Sequence, residues 1–197
     1  MKAEKIKTRL MNKALHYLSR YASTEAKLEE VLRRFADRKM GDDAPRPAAP
    51  ADLEPALAET IAECVRLGYV NDTAYAEMKW RRGRSAGKSR QMISQSLRQA
   101  GIDKEIIEET ARTEQHLIPH DENSHYHPEL QAALLTARKK RIGPYRRIDP
   151  LPEERRALMA KEMARLARAG FGFDICKQIF DLNDQAEAEA LLDKLSV

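Results

Sequence analysis

The chain lacks most of what builds sheets, disulfide scaffolds or membrane spans. Of 197 residues only 8 are glycine, 2 are cysteine and 6% are aromatic. No stretch alternates apolar and polar residues with period two, so no strand is predicted. No apolar run approaches the ~20 residues needed to cross a bilayer. The N-terminal MKAEKIKTR is charged where a signal peptide would be apolar. Cys64 and Cys176 each fall within a periodic stretch and read as small buried hydrophobes rather than a disulfide, which suits a reducing compartment. These absences predict a soluble, cytoplasmic protein. The balance of 35 basic against 31 acidic side chains leaves only +4, so what matters is where the charges sit.

What is present is helical periodicity. Ile6, Leu10, Ala14, Leu15 and Leu18 form one stripe, and Ala26, Leu28, Val31, Leu32 and Phe35 a second, entered through Ser23 or Thr24 as N-cap. The segment GDDAPRPAAPAD, about 41–52, cannot continue a helix and reads as a mobile insertion. Leu53, Leu57, Ile61, Cys64 and Val65 form the third stripe, with Pro55 in its first turn and Gly68 at its end. Asp72 is expected to cap the next helix, which Gly83 and Gly87 end. Ser89 caps another, with Met92, Ile93, Leu97 and Ala100 inward and Gly101 as the stop. Asp103 then caps a short helix carrying Ile106 and Ile107. After a His-containing loop, helices are expected over 129–141, 153–169, 174–182 and 185–195, the first two joined by a turn at GPYRRIDPLP. The fold class is all-α.

The pattern repeats. LRQAGIDKEIIEET from Leu97 matches LARAGFGFDICKQI from Leu166: helix, Ala-Gly stop, apolar plug, short helix. The first three helices fit the same unit, interrupted by the Pro-Ala insertion. Self-similarity at a fixed offset implies stacked units sharing a core. The expected organisation is a first repeat over 1–69, a second over 70–114, a His-rich loop over 115–127, and a third repeat with a C-terminal helix over 128–197.

GRSAGKS, at 83–89, looks like a phosphate-binding loop. Such a loop needs four residues between its glycine and the Gly-Lys-Ser, after an apolar strand. Here three separate Gly83 from Gly87, Arg82 occupies the required glycine position, and a charged helix precedes it. The nucleotide reading fails. The basic residues are the better signal. Lys79, Arg81, Arg82, Arg84, Lys88, Arg90 and Arg98 form a run without an acid, and Arg90, Ser94 and Arg98 share one helix face. Arg138, Lys139, Lys140, Arg141, Arg146 and Arg147 form a second such run. Two runs of one sign could follow a polyanion backbone or dock an acidic protein groove.

Other constellations are weaker. His116, His120, His125 and His127 lack cysteine partners or helical ligand spacing, so no metal is expected. Trp80 reads as a packing residue rather than a base-stacking platform. No nucleophile–base arrangement has supporting context, and neither an enzyme nor a cofactor is expected.

LGYVNDTAYA followed by RRGRSAGKSRQMISQSLRQAGID resembles the central signature of the RecX regulatory proteins, the modulators of bacterial RecA recombinase. Tyr69, Asp72, Tyr75, Ala76, Gly87, Ile93, Leu97, Gly101 and Ile102 fall on it. ALHYLSRYASTEAKLEEVL resembles that family's opening repeat through Leu15, Ser19, Leu28 and Leu32, and LARAGFGFDICKQIF its last. The resemblance implies an elongated, curved array of three tandem three-helix repeats. It implies a protein that binds the RecA filament on single-stranded DNA and restrains strand exchange, ATP turnover and co-protease activity; a monomer is expected. The Pro-Ala insertion and the His-rich loop depart from the family pattern. The competing reading is a stand-alone nucleic-acid-binding helical protein that does not depend on RecA.

Overall fold

The computed structural model describes residues 3–40, 49–116, 127–148 and 151–195. Among them are ten α-helices, one 3-10 turn and no strand, in the order α1 Ala3–Leu18, α2 Glu25–Met40, α3 Pro50–Arg66, α4 Asp72–Ser85, α5 Arg90–Gln99, α6 Lys104–His116, α7 Pro128–Lys140, the 3-10 turn Gly143–Tyr145, α8 Pro152–Arg168, α9 Phe173–Phe180 and α10 Gln185–Lys194. The all-α expectation holds. Chain contacts divide the molecule into two compact units, Met1–Ala76 with Arg98–Ile106, and Glu77–Leu97 with Ile107–Val197.

The first unit is built on α1, α2 and α3. Ile6, Leu10 and Ala14 recur every fourth residue along α1, and Leu28, Leu32, Ala36 and Met40 do so along α2. That spacing puts each set on one stripe. The stripes close over Ala56, Leu57 and Cys64 of α3, and Val70 completes the core. Each fully buried leucine here contributes about 1.5–3 kcal/mol of transfer free energy. The Thr60 hydroxyl is buried in α3 and donates to the Ala56 carbonyl at 2.7 Å.

The second unit packs around α7, where Leu130, Ala132, Ala133, Leu134 and Ala137 are all buried. Three alanines let neighbouring helices approach closely. Ile142, Tyr145, Leu166, Phe171, Ile175, Cys176, Ile179 and Leu192 fill in from the turn, α8, α9 and α10. Trp80 is 3% exposed and is the packing residue its sequence context implied. Both cysteines are free and buried, and burial pushes each thiol's pKa up. Burial also raises the Tyr145 phenol to about 12, reinforced by Glu189.

Several local expectations need correction. Helix α3 begins at Pro50, so 50–52 are helical rather than part of an insertion, and Pro55 sits inside the helix instead of in its first turn. Residues 41–48 and 117–126, the bulk of the two expected mobile segments, lie outside the described residues, while 115 and 116 belong to α6. That helix runs thirteen residues, longer than expected. Gly83 does not end α4 but lies within it. A Cβ there would come within 2.7 Å of Ile93 Cγ1, so the glycine provides close helix–helix approach. Met92, Leu15 and Val65 are exposed rather than inward. The N-cap of α4 is Asn71, whose Oδ1 accepts from the Ala74 N–H at 2.9 Å. The Asp72 carboxylate points elsewhere, as described below.

Candidate interaction surface

The thirteen basic residues singled out by their runs separate into two groups. Arg84 ends α4 and reaches Glu129, in the first turn of α7, at 2.6 Å; its guanidinium also lies 5.9 Å from the Trp80 ring centroid. Arg81 contacts Glu77 at 3.3 Å and Glu114 at 3.5 Å. Arg138 pairs with Glu189 at 3.1 Å. Arg146 donates through Nε to Glu162 at 2.8 Å, and its guanidinium lies 5.9 Å from the Phe180 ring. The runs contain no acid, but acids from other segments come to meet these four. The half-buried Arg84 and Arg146 pairs hold the fold as well as carrying charge, whereas the exposed Arg81 and Arg138 pairs add little to stability.

Glu162 is the most consequential of those acids. It is 5% exposed and also accepts the Gly143 N–H at 3.2 Å. One buried carboxylate thus ties the 3-10 turn to α8. Removing it would strand a largely buried Arg146 charge, a change that costs about 3–5 kcal/mol in such settings.

The second group is solvent-facing. Among the described residues, Arg82, Lys88, Arg90, Arg98, Lys139, Lys140, Arg141 and Arg147 are exposed and form no ion pair. Lys79 is exposed too and has an electrostatic or hydrogen-bond partner. Arg141 has a further peculiarity. It caps α7 in the left-handed region, at φ 55 and ψ 53, with the Ile142 N–H returning to the Ala137 carbonyl at 2.9 Å. The other positive-φ residues among those described are all glycine. A side chain in that conformation costs roughly 1–2 kcal/mol.

A pair of contacts that the sequence reading missed recurs in the two units. In the first unit the buried Thr24 hydroxyl caps α2, accepting from the Lys27 N–H at 3.1 Å, and donates to the Ala100 carbonyl at 2.6 Å. The next backbone N–H, that of Glu25, donates to Asp72 Oδ1 at 3.0 Å. In the second unit the buried Ser89 hydroxyl accepts from the Met92 N–H at 3.2 Å and donates to the Ala169 carbonyl at 2.6 Å. The next N–H, of Arg90, donates to Glu129 at 3.2 Å. Each carbonyl belongs to an Ala-Gly stop, and each carboxylate to the first turn of a helix. The glycines are packed tightly: a Cβ on Gly101 would fall 2.3 Å from the Ala26 Cβ, and one on Gly170 2.5 Å from Ser89 Oγ. Thr24, Ser89 and both Ala-Gly stops were legible singly, as caps and helix ends. The signal that could have joined them is their matching order along the chain.

Among the described residues no group of three or more His, Cys, Asp and Glu could hold a metal ion. His127 instead caps α7, its Nδ1 accepting from the Leu130 N–H at 3.2 Å. His120, His125 and the His116 side chain lie outside the described residues. GRSAGKS is the end of α4 and a turn with Gly87 at φ 76, not a loop following a strand.

An all-helical chain with these stops and basic turns matches a known class of regulatory proteins. Residues 71–110 match the family model of the RecX second three-helix domain. The chain is 38% identical over 177 residues to "Regulatory protein RecX" of Myxococcus xanthus (strain DK1622), covering 89% of this chain and 86% of that one. It is 32% identical over 186 residues to the protein of the same name from Agrobacterium fabrum, covering 92% and 86%. A crystal structure of RecX from Lactobacillus salivarius superposes with a TM-score of 0.62 at 23% identity, over 91% of this chain and 99% of that one. A crystal structure of a regulatory protein RecX gives 0.64 at 21%, over 91% and 74%. The chain belongs to the RecX family of regulatory proteins.

Proposed function

We propose that this protein binds the RecA filament on single-stranded DNA and restrains its recombinase, ATPase and co-protease activities. The carrying observation is the set of exposed cations without an ion pair among the described residues, Arg82, Lys88, Arg90 and Arg98 in the first run and Lys139, Lys140, Arg141 and Arg147 in the second. Unpaired surface cations bind phosphates by releasing counterions. The family supplies the regulatory role and the resemblance supplies RecA as the partner. On this reading the protein acts by binding as a cytoplasmic monomer, without catalysis or cofactor. No helix among the described residues is long and apolar enough to cross a membrane. The three-repeat division at 1–69, 70–114 and 128–197 belongs to the same reading and is supported by the recurring pair of junction contacts.

The test uses a quadruple variant, Arg82→Glu, Lys88→Glu, Lys139→Glu and Lys140→Glu. RecA ATPase on single-stranded DNA is titrated with the parent and the variant at two salt concentrations, and helicity is checked by circular dichroism. The parent should inhibit, less at higher salt, and the variant should inhibit at least tenfold less at unchanged helicity. Equal inhibition by both proteins would remove these side chains from the interface. Binding of the parent to single-stranded DNA with no effect on RecA would favour the stand-alone nucleic-acid reading.

A further inference from the structure

Among the described residues, Arg141 is the non-glycine residue held at positive φ. Its backbone is left-handed, φ 55, at the C-cap of α7. Gly87, Gly101 and Gly170 also follow helices at positive φ, and there the sequence uses the residue that the conformation favours. At 141 it uses an exposed arginine with no ion pair among the described residues. The surroundings fix this backbone. The Arg141 N–H returns to the Arg138 carbonyl at 3.3 Å and that of Ile142 to Ala137 at 2.9 Å. Two residues on, the Gly143 N–H is held by buried Glu162. A side chain held at such a strained position is a reason to look for a role beyond stability.

We infer that Arg141 is a contact residue that grips a phosphate of a nucleic-acid backbone. This rests on the binding role proposed above and names one of its contacts and the ligand chemistry. The neighbours favour phosphate. Lys139 and Lys140 occupy the last turn of α7, about 100° apart around its axis, and both are exposed. Arg138, one residue earlier, is already committed to Glu189. Cations spread in several directions around a helix end match a line of charge better than a single carboxylate. A guanidinium adds bidentate geometry toward a phosphate that an ammonium lacks.

The experiment compares Arg141→Gly, Arg141→Ala and Arg141→Lys with the parent in the full chain. Thermal melting is measured, with binding to a labelled single-stranded oligonucleotide by fluorescence anisotropy at several salt concentrations, and inhibition of RecA ATPase. Arg141→Gly should melt higher, by about 2–4 °C. It should bind the oligonucleotide about fivefold more weakly at 0.1 M salt, with the log–log salt slope smaller by about 0.7, the share of one phosphate contact. Arg141→Ala should lose the same binding without the gain in melting temperature, and Arg141→Lys should keep the slope. Unchanged oligonucleotide binding by Arg141→Gly overturns the assignment, as does a melting temperature no higher than the parent's. If Arg141→Gly loses RecA inhibition but keeps oligonucleotide binding, the contact is to acidic protein and the phosphate assignment falls. A parent that inhibits RecA without binding the oligonucleotide sinks this inference alone, whereas a parent that does neither sinks the proposed function with it.

Discussion

Asp72, in the first turn of α4, turns its carboxylate toward α2, where it accepts the Glu25 N–H at 3.0 Å. The sequence suggests it as the cap of α4, but Asn71 takes that task and frees the Asp72 carboxylate to accept the Glu25 N–H. Its pKa is raised by burial, opposed by that hydrogen bond and reinforced by Asp103. Glu25 is raised as well, by burial first and then by the charges of Asp72 and Asp103. Both carboxyls therefore hold protons more tightly in the folded chain than in the unfolded one. Their contribution to stability is most favourable below the ordinary carboxylate range and is lost as pH rises through the raised values, so the penalty is fully present at neutral pH. Asp103→Asn removes one of the repelling charges and keeps a side chain able to cap α6. It should raise the melting temperature at pH 7, with the gain shrinking toward pH 4. A gain independent of pH would show that charge repulsion is not the cause.

At the scale of elements, two buried hydroxyls each bind a distant Ala-Gly stop at 2.6 Å. Ser89→Ala deletes a cap and leaves the half-buried Ala169 carbonyl without its partner, a combined loss of about 1–2 kcal/mol. Thr24→Ala should behave alike, whereas Thr24→Ser keeps the hydroxyl and should cost less than about 1 kcal/mol. Gly170→Ala should be at least as damaging as Ser89→Ala, because φ +86 disfavours a side chain and the added methyl collides with Ser89. Urea denaturation of the four variants checks the order. These elements were legible from period and punctuation: every helix was anticipated, since a stripe such as Leu28–Leu32 is set within one segment. What escaped depends on segments far apart in sequence. Thr24 and Ala100 gave no hint of each other, and the acid-free run around Arg84 concealed its partner Glu129, forty-five residues on. Charge along a chain shows a run's sign but not what folds against it. The apolar stripe places Pro55 in the first turn of α3, but the helix starts earlier than that stripe, so Pro55 falls inside it.

For the molecule as a whole, the two compact units do not follow the order of the chain. The first takes Met1–Ala76, gives way at Glu77, and takes up Arg98–Ile106 before the second resumes. Perturbing one set of contacts should therefore loosen residues that are not consecutive. Among the described residues, amide hydrogen exchange on Thr24→Ala should quicken within 3–40, 49–76 and 98–106, and on Ser89→Ala within 77–97, 107–116, 127–148 and 151–195. Acceleration spread evenly over both sets would mean that the chain opens as a single cooperative body. The same interleaving bears on how the protein is made. A ribosome adding roughly 5–20 residues per second finishes α1, α2 and α3 some seconds before it delivers Ala100 and Gly101. Until then the Thr24 hydroxyl has no carbonyl to meet and Ala26 faces no glycine. The nascent first unit waits with an open seam, and the step that seals it is set by the pace of translation rather than by the intrinsic speed of helix packing.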